Sequence, residues 1–141
     1  MYEMILVPTD GSDQAAAALD HAVELARTAD ATVHLLYVAD TNRDSVTTLG
    51  GQVVDALEAE GEQILETATD RVGGVRIVDS VETGDPVETI LDYADSVDAD
   101  VVVMGTHGRR GLDRYLLGST TERVVRHSQR PVLTISGAES D

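Results

Sequence analysis

The chain contains no cysteine and no lysine among its 141 residues. Without cysteine there can be no disulfides, thiolate metal sites or cysteine nucleophiles, and the sequence leaves the redox compartment open. The chain also lacks a basic start followed by a long apolar segment, and no apolar run approaches the length that spans a membrane. We therefore expect a cytoplasmic protein with no signal peptide and no membrane association.

The charge is one-sided, because 26 Asp and Glu residues stand against 10 basic residues, all of them arginine. A surface with a net charge of -16 repels phosphate backbones, which disfavours nucleic-acid binding. The acids are scattered over predicted helix faces and do not form a tail. The missing lysine favours a salt-adapted, halophilic protein over an ordinary acidic one. In molar salt, charges would then act over only about 3 Å.

Five short runs of aliphatic and β-branched residues alternate with helical patterns. This alternation predicts a single domain over residues 1–141: a doubly wound, Rossmann-like α/β fold with a five-stranded parallel sheet and helices on both faces. Ligands bind such sheets beyond the carboxyl ends of the strands, where the winding reverses. With strand order 3-2-1-4-5, the reversal brings residues 8–12 close to residues 105–118. The predicted strands span residues 3–8, 32–38, 75–81, 100–105 and 131–136.

Apolar residues at helical spacing predict three helices, and a fourth begins near Ser119. The third opens with Asp85 as a cap and Pro86 at the first helical position, and Glu88 completes a capping-box pattern. The predicted buried residues are Ala15, Ala16, Leu19, Ala22, Val23 and Ala26 in the first helix; Val53, Val54, Leu57, Gly61, Ile64, Leu65 and Ala68 in the second; and Val87, Ile90, Leu91, Ala94 and Val97 in the third.

The connection from Gly105 to Gly118 is longer than most strand-to-helix loops, which indicates that the loop has a function such as ligand binding. Gly105 and Gly108 allow a ligand to approach the backbone or φ to be positive, and Gly118 stands where the helix begins. Three hydroxyl residues follow at 119–121, at a helix N-terminus that attracts anions. Ser119 and Glu122 would also make a capping box, which needs no ligand. The glycines before the helix favour the phosphate site.

Several spaced motifs together resemble the universal stress protein family over essentially the full chain. The segment 105–108, nine further residues and then 118–120 match G-x2-G-x9-G followed by Ser or Thr. The other matching segments are ILVPTDGS, HLLYV, Gly84-Asp85-Pro86 and RPVLTI. The resemblance implies a flavodoxin-like or Rossmann-like fold, a homodimer through strand 131–136, and ATP binding in the subgroup that carries this pattern. Thr120 departs from the family, which often has Val there.

The resemblance also implies the roles of individual residues. It places Asp10 near the ribose or a phosphate-bound metal, Pro8, Thr9 and Val38 around adenine, and Met104 at the edge of the base. Mg²⁺ or Mn²⁺ would be held mainly through the phosphates, so we expect neither a protein metal site nor a catalytic residue. The residues implied to hold the phosphates and ribose are Gly105, His107, Gly108, Gly118, Ser119 and Thr120.

Six of the ten arginines lie between residues 109 and 130. Arg109, with Arg110 and Arg114, would neutralise a triphosphate at contact range, whereas for Arg123, Arg126 and Arg130 we expect surface ion pairs. His21, His34 and His127 are dispersed without metal spacing, so we interpret them as structural. His107 lies inside the glycine loop, and both its side chain and its backbone are candidates for phosphate binding.

We therefore expect an ATP-binding regulator of the stress response that signals through an unidentified protein partner. A Walker A loop and a receiver domain both need lysine and are excluded. A pyrophosphatase-type loop would align with residues 9–14, but it would put the Asp10 carboxylate where pyrophosphate should sit. The remaining alternatives are a slow ATPase and a nucleotide-free dimeric chaperone-like or scaffold protein.

Overall fold

A computed structural model of the chain describes residues 2–40, 51–106 and 117–136. Strands and helices alternate through these residues, which confirms the predicted α/β class. The strands are β1 (Met4–Pro8), β2 (Thr32–Asp40), β3 (Arg76–Gly84), β4 (Val101–Gly105) and β5 (Val132–Ile135). The helices are α1 (Asp13–Ala29), α2 (Gly51–Asp70), α3 (Pro86–Ser96) and α4 (Ser119–His127).

The sheet is parallel throughout, with the order β3-β2-β1-β4-β5 that the sequence predicts. Central strand β1 pairs with β2 on one side and with β4 on the other, since Ile5 lies beside both Val33 and Val101. The chain winds outward from β1 to β3 and then returns to the other side of β1 for β4. The reversal point therefore lies between the carboxyl ends of β1 and β4.

The core has two layers, one on each face of the sheet. Helices α1 and α2 cover one face, while α3 and α4 cover the other. β1 and β4 are buried on both sides, as their continuous apolar sequences predict. In α1 the buried stripe includes Ala18 and leaves Ala16 half-buried and outside the core, so the predicted burial of Ala16 is wrong. Four further residues predicted to be buried are half-buried but pack against the core: Ile64, Ala68, Leu91 and Val97. The side chains of Val53 and Val54 lie outside the described part.

Two of the helix starts are capped by side chains. Ser12 Oγ accepts the Ala15 N–H at 3.1 Å at the start of α1. Asp85 Oδ2 accepts the Glu88 N–H at 2.9 Å at the start of α3, with Pro86 in the first turn, which confirms the predicted Asp85 cap and first-turn proline. These bonds satisfy N–H groups that the helix itself leaves without partners.

The start of α4 differs from the prediction. The N-cap is Gly118, with φ -65° and ψ 159°, and Ser119 is already the first helical residue. The Glu122 N–H donates to the Gly118 carbonyl at 2.9 Å, as in an ordinary first turn. The predicted Ser119–Glu122 capping box is therefore wrong, because the box requires Ser119 at the N-cap. No side chain caps this helix from the N-cap position.

Polar side chains outside the sheet edge serve structural roles. Arg126 pairs with Glu122 at 2.6 Å, and Arg130 pairs with Asp95 and Asp98 at 3.2 Å each, which confirms the surface ion pairs predicted for these two arginines.

His34 Nδ1 lies 3.2 Å from the Tyr93 hydroxyl, and burial lowers the pKa of this histidine. In the ranges 2–40, 51–106 and 117–136, no helix is long and apolar enough to cross a membrane.

Candidate functional site

A tight turn at the end of β1 forms one side of the sheet edge. The Thr9 N–H donates to the Leu36 carbonyl at 2.8 Å and so continues the pairing of β1 with β2. Thr9 Oγ1 accepts the Gly11 N–H at 3.2 Å, and Asp10 Oδ1 accepts the Ser12 N–H at 3.0 Å. Gly11 has φ +82°, a conformation in which glycine avoids the strain of a side chain. The carboxylate of Asp10 is therefore held in position just beyond the carboxyl end of β1, at the reversal point of the sheet.

Gly105 ends β4 on the other side, where it is closely packed by α1. A Cβ built on Gly105 would lie 2.9 Å from Gln14 Cβ and 3.0 Å from the Gln14 carbonyl carbon. Its φ is not positive, so positive φ is not the reason for glycine at this position. The absent side chain instead lets the first turn of α1 approach the end of β4.

The loop that follows Gly105 is closed at its base by backbone hydrogen bonds. The Gly118 N–H donates to the Thr106 carbonyl at 2.7 Å, which joins the last described residue before the loop to the helix start. The Thr106 N–H donates to the Ile135 carbonyl at 3.1 Å, so the same residue also continues the β4–β5 pairing. Thr121 Oγ1 donates to the Gly105 carbonyl at 2.8 Å. Thr106 and Gly118, which flank residues 107–117, are thus held together at the sheet edge.

The three hydroxyl residues of the α4 start differ in exposure. Thr121 is only 4% exposed, and its hydroxyl is directed into the protein toward Gly105. Ser119 is exposed and Thr120 half-buried. The predicted phosphate-facing set of hydroxyls is therefore reduced to Ser119 and Thr120, while Thr121 fixes the helix beneath them.

The apolar residues implied to surround a base lie within two residues of the carboxyl ends of their strands, all at the same edge. Pro8 is buried, Val38 is half-buried, and Met104 is 5% exposed within the α3–α4 side of the core. The structure also brings Thr9, Asp10, Gly105 and the 118–120 segment to this edge. His107, Gly108 and Arg109 lie outside the described residues, as do Arg110 and Arg114.

The electrostatics of this edge are mixed. The amino end of α4, which carries partial positive charge, lies across the reversal point from the Asp10 turn. Among the described residues, no group of three or more His, Asp or Glu side chains is arranged to hold a metal ion. The arrangement suits an anion at the helix start, with one carboxylate beside it.

A cleft of about 190 Å³ opens between α1 and α2, behind the Asp10 turn. Its lining is mainly apolar. Thr9 and Ser12 line the end that faces the Asp10 turn, and Ile64 lines it from α2. Ligand pockets for drug-sized molecules usually have volumes of about 300–1,000 Å³. The cleft is therefore smaller than a nucleotide requires and lies on the face opposite to Met104 and α4.

Sequence reasoning missed Gln14. Its polar side chain stands in the first turn of α1 before a run of alanines, a signal that also fits an ordinary exposed helix residue. The structure leaves Gln14 half-buried against Gly105, with Gln14 Oε1 accepting the Thr106 hydroxyl at 3.2 Å.

Comparisons with known proteins agree with this architecture. A family model described as the universal stress protein family matches residues 1–136. Universal stress protein MJ0531 of Methanocaldococcus jannaschii is 36% identical over 140 residues, covering 96% of this chain and 82% of the relative. The solved structure of MJ0577 from the same organism is 33% identical, with a TM-score of 0.89 and 99% of each chain covered. A universal stress protein solved in complex with cAMP is 26% identical, with a TM-score of 0.66 and coverage of 97% and 99%.

Proposed function

Because this chain belongs to the universal stress protein family, we propose that it binds ATP at the carboxyl edge of its sheet. The nucleotide would make it a regulator of the stress response, with little or slow hydrolysis. The observation that carries the proposal is the start of α4, where Gly118 is the N-cap and, among the described residues, no side chain caps the first turn. Backbone N–H groups at such a helix start are donors suited to a phosphate.

The surroundings of that helix start support a nucleotide over a simple anion. Pro8 at the end of β1 and the half-buried Val38, two residues before the end of β2, provide apolar surface for a base at the same edge. A family relative at 26% identity has been solved with cAMP, which is a nucleotide. We propose phosphate and ribose contacts for Gly105, His107, Gly108, Arg109, Gly118, Ser119 and Thr120, and base contacts for Pro8, Thr9, Val38 and Met104.

We propose that Mg²⁺ or Mn²⁺ accompanies the phosphates, with Asp10 beside the metal or the ribose. Mg²⁺ is usually bound through one or two carboxylates plus substrate phosphates, and not in an all-protein cage. One fixed carboxylate next to a phosphate site agrees with this usual coordination of Mg²⁺. Asp10 Oδ1 already accepts the Ser12 N–H, which suits a positioned ligand better than a general base. Slow turnover follows from this assignment.

The test compares two variants of Gly118. Its φ of -65° and ψ of 159° suit any residue, and Asp and Asn are both good N-caps. Gly118→Asp places a carboxylate at the phosphate position, while Gly118→Asn has the same shape without the charge. Thermal unfolding at high KCl with Mg²⁺ is measured with ATP, with GTP and without nucleotide. ATP at a hundredfold over Kd stabilises by about 2.7 kcal/mol, a shift of several degrees.

We expect an ATP-selective shift in the wild type that is lost in Gly118→Asp and retained to a larger degree in Gly118→Asn. The nucleotide-free Tm should change by a similar amount in both variants, because each places a side chain of the same shape at the buried Gly118 position. No shift in the wild type, with no nucleotide carried through purification, would contradict ATP binding and favour the nucleotide-free scaffold. Phosphate release near one per second with ATP bound, a typical low enzyme rate, would contradict the regulator and favour an ATPase.

We further propose a homodimer through β5. This strand lies at the edge of the sheet, and all four of its residues, Val132–Ile135, are half-buried. Nearby on α4, Val125 is 42% exposed, which gives a second copy an apolar surface to cover. An unpaired edge strand is a template for pairing with another chain.

The dimer can be tested without disturbing the β4 pairing. The Val102 N–H donates to the Pro131 carbonyl, and in a parallel ladder this directs the N–H groups of Val132 and Thr134 outward. Thr134→Pro removes one outward donor, and Thr134→Val keeps it. Sedimentation equilibrium should show a monomer for the first variant and a dimer for the second. A monomeric wild type would contradict the proposal.

The predictions that the protein is salt-adapted, is cytoplasmic and has an unidentified protein partner rest on composition and on the family resemblance, and they remain predictions.

A further inference from the structure

Thr106 directly follows β4 at the sheet edge, and its N–H, its carbonyl and its hydroxyl are all hydrogen-bonded. Its N–H donates to Ile135 on β5 at 3.1 Å, and its carbonyl accepts from Gly118 at 2.7 Å. Its hydroxyl donates to Gln14 Oε1 at 3.2 Å. The first two contacts belong to the backbone and would form with any residue at 106, whereas the third depends on the side chains of Thr106 and Gln14.

Gln14 is itself held in a fixed position. It lies in the first turn of α1, whose start is capped by Ser12 and preceded by the hydrogen-bonded Asp10 turn. Its Cβ and carbonyl carbon lie so close to Gly105 that a methyl group at 105 would contact them at 2.9 Å and 3.0 Å. The first turn of α1 therefore packs closely against the end of β4, and the Gln14 amide reaches Thr106, one residue beyond the strand.

We propose that Gln14 is a positioning residue of the phosphate site at the start of α4, acting through its hydrogen bond to Thr106, whose carbonyl accepts the Gly118 N–H. This inference rests on the proposed ATP site and extends it across the reversal point. The Gln14–Thr106 bond connects the β1 side of the sheet edge, which carries Asp10, to the β4 side, where Thr106 is bonded to the start of α4. A helix start that binds phosphate has to place several N–H groups within hydrogen-bond distance at once, so a shift of Thr106 that displaces Gly118 weakens phosphate binding.

The test separates the phosphate part of the ligand from the rest. Gln14→Met keeps the length of the side chain without the acceptor, and Thr106→Val keeps the shape without the donor. Thr106→Ser restores the hydroxyl and is the conservative rescue. Affinities for ATP-Mg²⁺ and for adenosine are measured by calorimetry, with the nucleotide-free Tm in parallel. The matched control is Gln63→Met, another helical glutamine, exposed on α2.

We expect each single variant to weaken ATP about three- to tenfold, the range that one hydrogen bond supplies. Adenosine affinity should stay within about twofold of the wild type, as should the ATP affinity of Thr106→Ser and Gln63→Met. The double variant should lose about as much as either single variant, because both remove the same contact. A purely structural role would lower the nucleotide-free Tm without changing the ratio of ATP to adenosine affinity.

The outcomes distinguish a failure of the proposed Gln14 role from a failure of the proposed ATP binding. If the wild type does not bind ATP, the proposed function fails and the role of Gln14 falls with it. If the wild type binds ATP and both single variants bind it equally well, only the role of Gln14 is contradicted. Equal losses of ATP and adenosine, or additive losses in the double variant, also contradict it, because the bond would then not act on the phosphates.

Discussion

Gly61 gives the sharpest test of how the sheet and α2 pack. It lies in the interior of α2, where glycine is less stable than alanine by about 1 kcal/mol. On helix propensity alone, Gly61→Ala should stabilise the protein. In the structure, however, a methyl group at 61 would lie 2.8 Å from Tyr37 Cε1 and 2.9 Å from Cγ. Tyr37 is 4% exposed in the core, so its ring cannot move without displacing its neighbours.

The two effects can be weighed against each other. Overpacking a core usually costs about 1–3 kcal/mol, and several ring atoms would be contacted here, which favours the upper part of that range. Subtracting the propensity gain leaves an expected loss of about 1–2 kcal/mol for Gly61→Ala. For a chain of this size that corresponds to a fall in Tm of about 3–6 °C. The assay is urea unfolding at high KCl, with thermal unfolding as the second measurement.

A double-mutant cycle identifies the cause. With Tyr37→Ala in the background the methyl group has room, so Gly61→Ala should now raise the free energy of unfolding by about 1 kcal/mol. Gly73→Ala is the control for a glycine with no atom within 4 Å, and its effect should stay within about 0.5 kcal/mol. Stabilisation by Gly61→Ala of equal size in both backgrounds would refute the close contact with Tyr37.

Three further predictions concern single contacts. Burial lowers the pKa of His34 below 6.5, so its contribution to the unfolding free energy is present above that pH and lost as pH falls. His34→Gln should flatten the decline in unfolding free energy below about pH 6.5, and an unchanged decline would argue against this burial. Hydrogen bonds from the Glu3 and Met4 N–H groups lower the pKa of Asp100 below 3.8. The contribution of Asp100 to the unfolding free energy is therefore lost as pH falls through this lowered pKa. Asp100→Asn should flatten that acid limb in urea unfolding, and an unchanged limb would argue against these bonds. Thr121→Val should lower the unfolding free energy by about 1–2 kcal/mol, because the Gly105 carbonyl loses a buried donor, while Thr121→Ser should lose less; equal losses would point to packing as the cause.

Much of the fold could be predicted because the patterns involved are local. The apolar run at Val101–Met104 predicted a strand buried on both faces, and β4 is one. Asp85-Pro86 predicted the start of α3, because the cap and the fixed φ of proline act within a few residues. Ala16 was predicted wrongly because alanines fill positions 15–18, so the pattern leaves the rotation of the stripe ambiguous.

The candidate site was predicted less completely, since its details depend on tertiary contacts. Ser119 and Gly118 both suit an N-cap, and the structure selects Gly118, whose N–H bonds Thr106. Gly105 was interpreted through ligand approach or positive φ, but the atoms nearest to it belong to Gln14. No local pattern around Gln14 indicates that contact.

The sequence by itself determined the type and order of the elements, and hence the sheet edge where β1 and β4 end together. Periodicity and capping depend on residues a few positions apart, and those interactions form wherever the segment lies. Tertiary structure alone decided which groups meet at that edge: Gln14 reaches Thr106 across 92 positions of sequence. Such a contact depends on how α1 lies against β4, and that is set by the packing of the whole core.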